Sequence, residues 1–364
     1  MNVVITGGGT AGHIYPALAL ANELKSRGAT VRYAGTPKGA ESRLVPAAGF
    51  EYKAFDVSGI DRSRPWTAIT TLAKVAKSRK QAEKWLKEIS CDLVVGFGGY
   101  VSVPVVYAAQ KLGIKTAIHE QNSVMGLANE ELSKKADAVC LTYEHAALKL
   151  KDKSKATITG NPVRQEVISA TREEGLSLFE IDEASEVLLV FGGSLGAKTI
   201  NEATVALKDE LLAVDGLEII HVAGKRDYDW VKEQLALTET EEKRYHLLDY
   251  CYEMPKALAC ADVILSRAGA TSLAEISALK IPAMLVPFPY ATADHQTKNA
   301  ESYVEAGAAY WCKDDEVKTD DFKKRLFEII NSEEIRANMR EAAQGCGTLD
   351  ATAKLADTVV QLIK

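Results

Sequence analysis

One local pattern occurs twice in this chain. VVITGGGTAGHIYPALALA, residues 3–21, and LLVFGGSLGAKTINEATVA, residues 188–206, each run from a short apolar stretch through a glycine-rich turn into a helix-forming segment. A strand that feeds a helix through glycines opens a doubly wound parallel sheet, so its recurrence predicts an α/β protein with two Rossmann-like domains in tandem. The length agrees, because 364 residues exceed one comfortable hydrophobic core. Between these openings the chain alternates short β-branched runs with longer helical patterns. The runs are NVVIT at 2–6, TVRYA at 30–34, DLVVG at 92–96, KTAIH at 115–119, AVCLT at 138–142 and KATIT at 155–159, then EVLLVF at 186–191, LEIIHVA at 217–223, DVIL at 262–265 and AMLV at 283–286. Continuous rather than alternating apolar character implies strands buried on both faces.

The link between the domains is expected at Gly160-Asn161-Pro162-Val163-Arg164, where Asn-Pro ends a strand and turns the chain away from helix. This predicts a first domain over 1–162 and a second over 163–346. The amphipathic stretch Ala351 to Ile363 is expected to form a helix, within about 347–364, that packs back on the first domain.

Composition narrows the function. A net charge of -6 argues against a nucleic-acid binder held by bulk electrostatics. The six cysteines are scattered with no CxxC pair, which predicts buried reduced thiols in a cytoplasmic protein and no zinc site. The N-terminus lacks a basic and apolar leader, and no uncharged run approaches the roughly 20 residues that span a bilayer. Any contact with a membrane is therefore expected from the side.

Gly7-Gly8-Gly9-Thr10-Ala11-Gly12 permits a tight turn and close ligand approach, and the helix behind it offers backbone donors and a positive dipole end. It is not a Walker loop, since no Gly-Lys-Ser/Thr follows. A dinucleotide fingerprint would want an acidic residue after the second strand, where Gly35-Thr36-Pro37-Lys38 stands instead. His13, in the first helical turn, sits where the dipole lowers an imidazole pKa; a general base and a hydrogen bond to a neighbouring loop are both open to it. Two further helix starts follow the same plan. Gly192-Gly193-Ser194-Leu195-Gly196-Ala197 adds a hydroxyl to the backbone donors, and Arg267-Ala268-Gly269-Ala270-Thr271-Ser272 again joins a strand to a helix. Glu275 stands one turn into that helix, suited to the vicinal hydroxyls of a ribose or to simple solvation. The loop 294–299, DHQTKN, suits sugar hydroxyls or a helix cap.

Taken in order, GGTAGHIYPALALA, FGGYVS (97–102), HEQN (119–122), GNPVR (160–164), GGSLGA and SRAGATSLAEI resemble the MurG family of N-acetylglucosaminyltransferases across essentially the whole chain. The resemblance implies the glycosyltransferase-B architecture, two doubly wound domains facing across a cleft. It also implies an inverting transfer of GlcNAc from UDP-GlcNAc to the C4 hydroxyl of the MurNAc of undecaprenyl-pyrophosphoryl-MurNAc-pentapeptide (lipid I), giving lipid II in peptidoglycan synthesis. By that resemblance Ser194 meets the diphosphate, the backbone near Cys251 the uracil, Ala270, Thr271, Ser272, Leu273 and Ala274 form the phosphate-facing helix start, and Glu275 meets the ribose. Gln296 contacts the sugar, and Arg164 helps close the cleft. Thr10, Ala11, Gly12 and Asn122 reach the transferred sugar, while the glycine loops at Gly12 and at Gly98, Gly99 and Tyr100 face the acceptor pyrophosphate. His13 is the candidate base and Glu120 a weaker one. Leu195, His295 and Ala11 depart from residues common in the family, Ala11 replacing a glycine while keeping its N–H.

The resemblance further implies no cofactor and no metal, with the leaving diphosphate met by helix N-termini. Asp227-Tyr228-Asp229 has the spacing of a metal-binding pair, but it precedes WVKEQL and is expected to cap a helix. A lipid-linked acceptor requires a place at the cytoplasmic face of the cell membrane. The segment Arg62 to Lys87 mixes Trp66, Ile69, Leu72 and Trp85 with Arg64, Lys74, Lys77, Arg79 and Lys80, anchors and cations that suit an anionic lipid surface or an ordinary packed helix. Other cell-wall synthesis proteins are conceivable partners. A UDP-GlcNAc epimerase of the same fold is the rival reading; a nicotinamide oxidoreductase and a non-catalytic scaffold fit less well.

Overall fold

The computed structural model describes residues 1–58, 67–193, 196–347 and 349–364, with backbone only for 67–70. The chain divides into two compact units, one of Met1–Arg164 together with Leu349–Lys364, the other of Gln165–Thr348. The first holds seven strands: β1 (Asn2–Thr6), β2 (Thr30–Gly35), β3 (Glu51–Ala54), β4 (Leu93–Gly96), β5 (Lys115–Glu120), β6 (Ala138–Leu141) and β7 (Ala156–Ile158). They lie in the order β3-β2-β1-β4-β5-β6-β7. The second holds six, β8 (Glu186–Phe191), β9 (Leu217–Val222), β10 (Tyr245–Leu248), β11 (Val263–Ser266), β12 (Ala283–Leu285) and β13 (Ala309–Trp311), in the order β10-β9-β8-β11-β12-β13. Every described strand pair is parallel.

Burial on both faces explains the unbroken apolar runs. In β1, Val3 and Ile5 join a core with Leu20 and Leu24 of the helix Ala11–Ser26, while Val4 joins the opposite core with Leu86 of the helix Thr67–Glu88. Alternate side chains therefore feed two apolar layers, which a half-exposed strand could not do. The helix Ala351–Gln361 lies in the first unit: Leu355, Ala356 and Val359 are buried in the layer of the helix Ala11–Ser26, and Thr352 donates to Val163 O at 3.4 Å.

Three strands carry no clear sequence signal: β3 (EYKA), β10 (YHLL) and β13 (AYW). All three are sheet edges, short and in part exposed, so they lack the apolar run that betrays a central strand.

Candidate active-site elements at the two switch points

In each sheet the strand order reverses beside its first strand, between β1 and β4 and between β8 and β11. Connections leave those neighbours in opposite directions, opening a crevice at their carboxyl ends where doubly wound folds take ligands. The glycine turns fall at these places. The turn after β1 and the Gly98-Gly99 turn after β4 flank the first; residues 192–193 and 196–197 after β8 and 267–269 after β11 flank the second.

At the first switch point the two turns touch. Gly98 and Gly99 have φ of +89° and +76°, and a Cβ on Gly99 would stand 2.5 Å from Gly8 O. Only glycine combines that backbone with that approach. Thr10 is the N-cap of the helix Ala11–Ser26, yet its hydroxyl lies 3.1 Å from His13 Nδ1 rather than on the helix backbone. His13 Nδ1 also lies 3.0 Å from Gly8 O. A carbonyl oxygen only accepts, so the hydrogen-bond pattern assigns a proton to Nδ1, and in the neutral ring the lone pair is then on Nε2. Nε2 faces the Gly98 turn, 3.3 Å from where a Cβ of that residue would be. Tyr100 is exposed at the rim, and Arg164 stacks its guanidinium over the Tyr15 ring at 4.3 Å, on the same helix as His13.

Glu120, the weaker candidate base, is held by fixed donors. It is buried at the end of β5, and its two oxygens accept from Asn122 N at 3.1 Å, Asn122 Nδ2 at 3.2 Å, Gly126 N at 3.0 Å and Asn129 Nδ2 at 2.8 Å. Four donors fill the carboxylate, which thereby shapes the loop carrying Asn122 instead of presenting a lone pair. His119 beside it is buried and neutral: burial lowers its pKa to about 4, with Nε2 on Gly160 O at 3.0 Å and Nδ1 facing Gln121 Nε2 at 3.0 Å.

At the second switch point the helix Ala270–Ala278 begins after Gly269, which has no side chain to cap it. Thr271, Ser272 and Ala274 are partly exposed, Ala270 and Leu273 are buried, and Glu275 is only 6% exposed, which removes the solvated reading. Gln296 opens the helix His295–Glu305 and accepts from Phe288 N at 3.0 Å, leaving its amide nitrogen as a donor. Asn299, one turn on, donates to Ala268 O at 3.2 Å and ties that helix to the turn after β11. Cys251 is half-buried after β10, and burial pushes its thiol up to about 11. Ser194 and Leu195 lie outside the described residues, but Gly192 and Gly196 frame them: a Cβ on Gly196 would meet Ala223 O. Arg267 belongs to the turn after β11. It is buried, bridges Thr199 at 2.9 Å and Asp314, and so braces the start of the helix Lys198–Ala206.

Two expectations need correction. Asp227 stands at the N-cap of the helix Tyr228–Leu235, but its carboxylate makes no cap bond there. Arg226 takes it at 2.8 and 2.9 Å, and Asn201 Nδ2 donates at 3.2 Å, a geometry that occupies the carboxylate with fixed donors. Trp85 belongs to the core against Phe55, ring centroids 5.8 Å apart, and is no surface anchor. Leu72, Lys74, Lys77 and Lys80 are exposed, whereas Trp66, Arg64 and the Ile69 side chain lie outside the described residues. Among the described residues no group of three or more His, Cys, Asp or Glu is placed to hold a metal ion, and no helix is long and apolar enough to cross a membrane.

Two doubly wound units, each with glycine turns and a helix start at its switch point, define the glycosyltransferase-B class. Within that class the chain belongs to glycosyltransferase family 28: the N-terminal domain of that family matches residues 3–141 and the C-terminal domain residues 187–359. The chain is 41% identical over 352 residues, 95% of each protein, to the UDP-N-acetylglucosamine--N-acetylmuramyl-(pentapeptide) pyrophosphoryl-undecaprenol N-acetylglucosamine transferase of Halothermothrix orenii. The crystal structure of Acinetobacter baumannii MurG matches with a TM-score of 0.76 at 29% identity, covering 99% of both chains. The UDP-GlcNAc 2-epimerase of Neisseria meningitidis, at 15% identity and a TM-score of 0.70 over 99% of this chain and all of its own, shares the fold alone.

Proposed function

We infer that the chain transfers GlcNAc from UDP-GlcNAc to the lipid-linked MurNAc-pentapeptide, converting lipid I to lipid II. The observation that carries this reading is the 41% identity, over 95% of both chains, to a transferase of that name. The epimerase reading has only the fold behind it.

In the proposed step the acceptor's C4 oxygen bonds to C1 of the sugar as the C1–phosphate bond breaks, with inversion. His13 Nε2 takes the hydroxyl proton, a role supported by the Nδ1 hydrogen bond that leaves the lone pair on Nε2. Thr10, Ala11, Gly12 and Asn122 face the sugar, and Gly98, Gly99 and Tyr100 the acceptor pyrophosphate. UDP leaves onto the second unit, where Ser194 and the helix start at Ala270, Thr271, Ser272, Leu273 and Ala274 stabilise the diphosphate without a metal. Glu275 takes the ribose, Cys251 the uracil through its backbone, Gln296 the sugar, and Arg164 completes the nucleotide site. The first unit works at the cytoplasmic face of the membrane, with exposed Leu72 and its neighbouring lysines toward anionic lipid.

The test is UDP release from UDP-GlcNAc with and without a lipid-pyrophosphoryl-muramyl acceptor, in EDTA. Acceptor-dependent release is expected, and His13→Ala should lower kcat by roughly 10²–10⁴. Release that needs no acceptor, or that requires added magnesium, contradicts the reading.

A further inference from the structure

Beneath the first glycine turn lies a carboxylate that touches no reacting atom. Glu41 opens the helix Glu41–Ala47 and is fully buried. One oxygen accepts from Thr36 N at 3.1 Å and from the Thr36 hydroxyl at 2.7 Å; the other accepts from Gly9 N at 3.3 Å. Glycines make room for it, since a Cβ on Gly8 would come within 2.6 Å of the carboxylate and one on Gly35 within 2.7 Å of its Cγ. Burial first, and the Glu41 charge second, hold the Tyr33 phenol well above its usual value, so it stays a donor, to Gly7 O at 2.9 Å.

The decisive feature is a single peptide unit. Gly8 C=O and Gly9 N–H belong to the same planar trans group, so they point in opposite directions. Glu41 takes the N–H from one side; His13 Nδ1 meets the C=O at 3.0 Å from the other. Resting on the reading of His13 as the base, we propose that Glu41 is a positioning residue for it. By anchoring the Gly8–Gly9 peptide plane, Glu41 keeps Gly8 O aimed at Nδ1, which holds the ring in the tautomer whose Nε2 can accept a proton. The same bond commits the Gly9 N–H internally and puts a negative group under the turn. The turn thus orients a histidine.

Glu41→Gln tests this. Gln offers one acceptor oxygen and an NH₂ group, so a donor must face either Gly9 N–H or the Thr36 donors. Acceptor-dependent kcat should fall by about 10-fold or more, out of the roughly 10²–10⁴ a general base supplies, while the KM for UDP-GlcNAc and the calorimetric affinity for UDP stay within about twofold. In a His13→Ala background the same change should cost nothing further, because two residues acting through one group are not additive. If Glu41→Gln does not fold, Thr36→Val, which removes one donor to the carboxylate, serves in the same cycle with a smaller expected loss. Nitrogen NMR of the His13 ring reads the tautomer without turnover: Nδ1–H in the unmodified protein, a mixture in the variant. An unchanged tautomer, a kcat within twofold of the unmodified protein, or an equal loss in the His13→Ala background overturns the proposal. Failure of the functional reading is told apart by the unmodified protein, which would then show no acceptor-dependent release.

Discussion

His13 was legible in the sequence because it directly follows the glycine run whose geometry holds it. Glu41 was not, since the Gly9 N–H it accepts from lies 32 positions away and only the β2 crossover brings the two together. Two buried histidines illustrate the same contrast and give a pH prediction. His119, and His221 held by Tyr245 OH at 2.8 Å and Asn201 Oδ1 at 3.0 Å, are neutral in the folded chain, burial lowering them to about 4 and about 3. An unfolded histidine takes up a proton near pH 6.5. Between that pH and the folded value the unfolded state binds more protons, so stability falls as pH falls, by about 1.4 kcal/mol per pH unit for each histidine. Urea unfolding between pH 6.5 and 4.5 should show a slope shallower by about that amount in His221→Gln; an unchanged slope would refute the assignment.

At the scale of elements, the central strands announced themselves, whereas three of the four edge strands, β3, β10 and β13, did not, because only a strand covered on both faces must be apolar throughout. The helix Thr67–Glu88 carries the lesson further. Its buried positions Thr71, Ser78, Ala82 and Trp85 follow the helical repeat. Leu72 and Trp85 are 13 residues apart, about 220° around the axis at roughly 100° per residue, so they cannot share a face. The sequence reading grouped them by composition; the helix separates them, one into the core and one to solvent at 61% exposure. Leu72→Ser should therefore weaken sedimentation with anionic vesicles while leaving turnover of a soluble acceptor analogue intact. Equal vesicle binding by the variant would dismiss this face as the membrane contact.

For the whole molecule, the first unit is completed by residues from the far end of the chain. Leu355, Ala356 and Val359 are buried against the helix Ala11–Ser26, and Arg27 pairs with Asp357 at 2.5 Å. Removing residues 349–364 strips at least one buried Leu and one buried Val, about 3–6 kcal/mol of burial energy in total as an upper estimate. Amide exchange in β1 to β7 should accelerate strongly in the shortened chain, while β8 to β13 and UDP affinity change little. Unaltered exchange in β1 to β7 would show that the helix contributes nothing to that core. The sequence alone determined the two strand–glycine–helix openings, the parallel central strands and the histidine at the first turn, because these rest on local periodicity and on the backbone freedom of glycine. The tertiary structure alone decided that Glu120 is filled by four donors, that Asp227 serves Arg226 and that Glu41 underlies the first turn. Such hydrogen bonds depend on where the crossovers return the chain, and neighbouring residues carry no record of that.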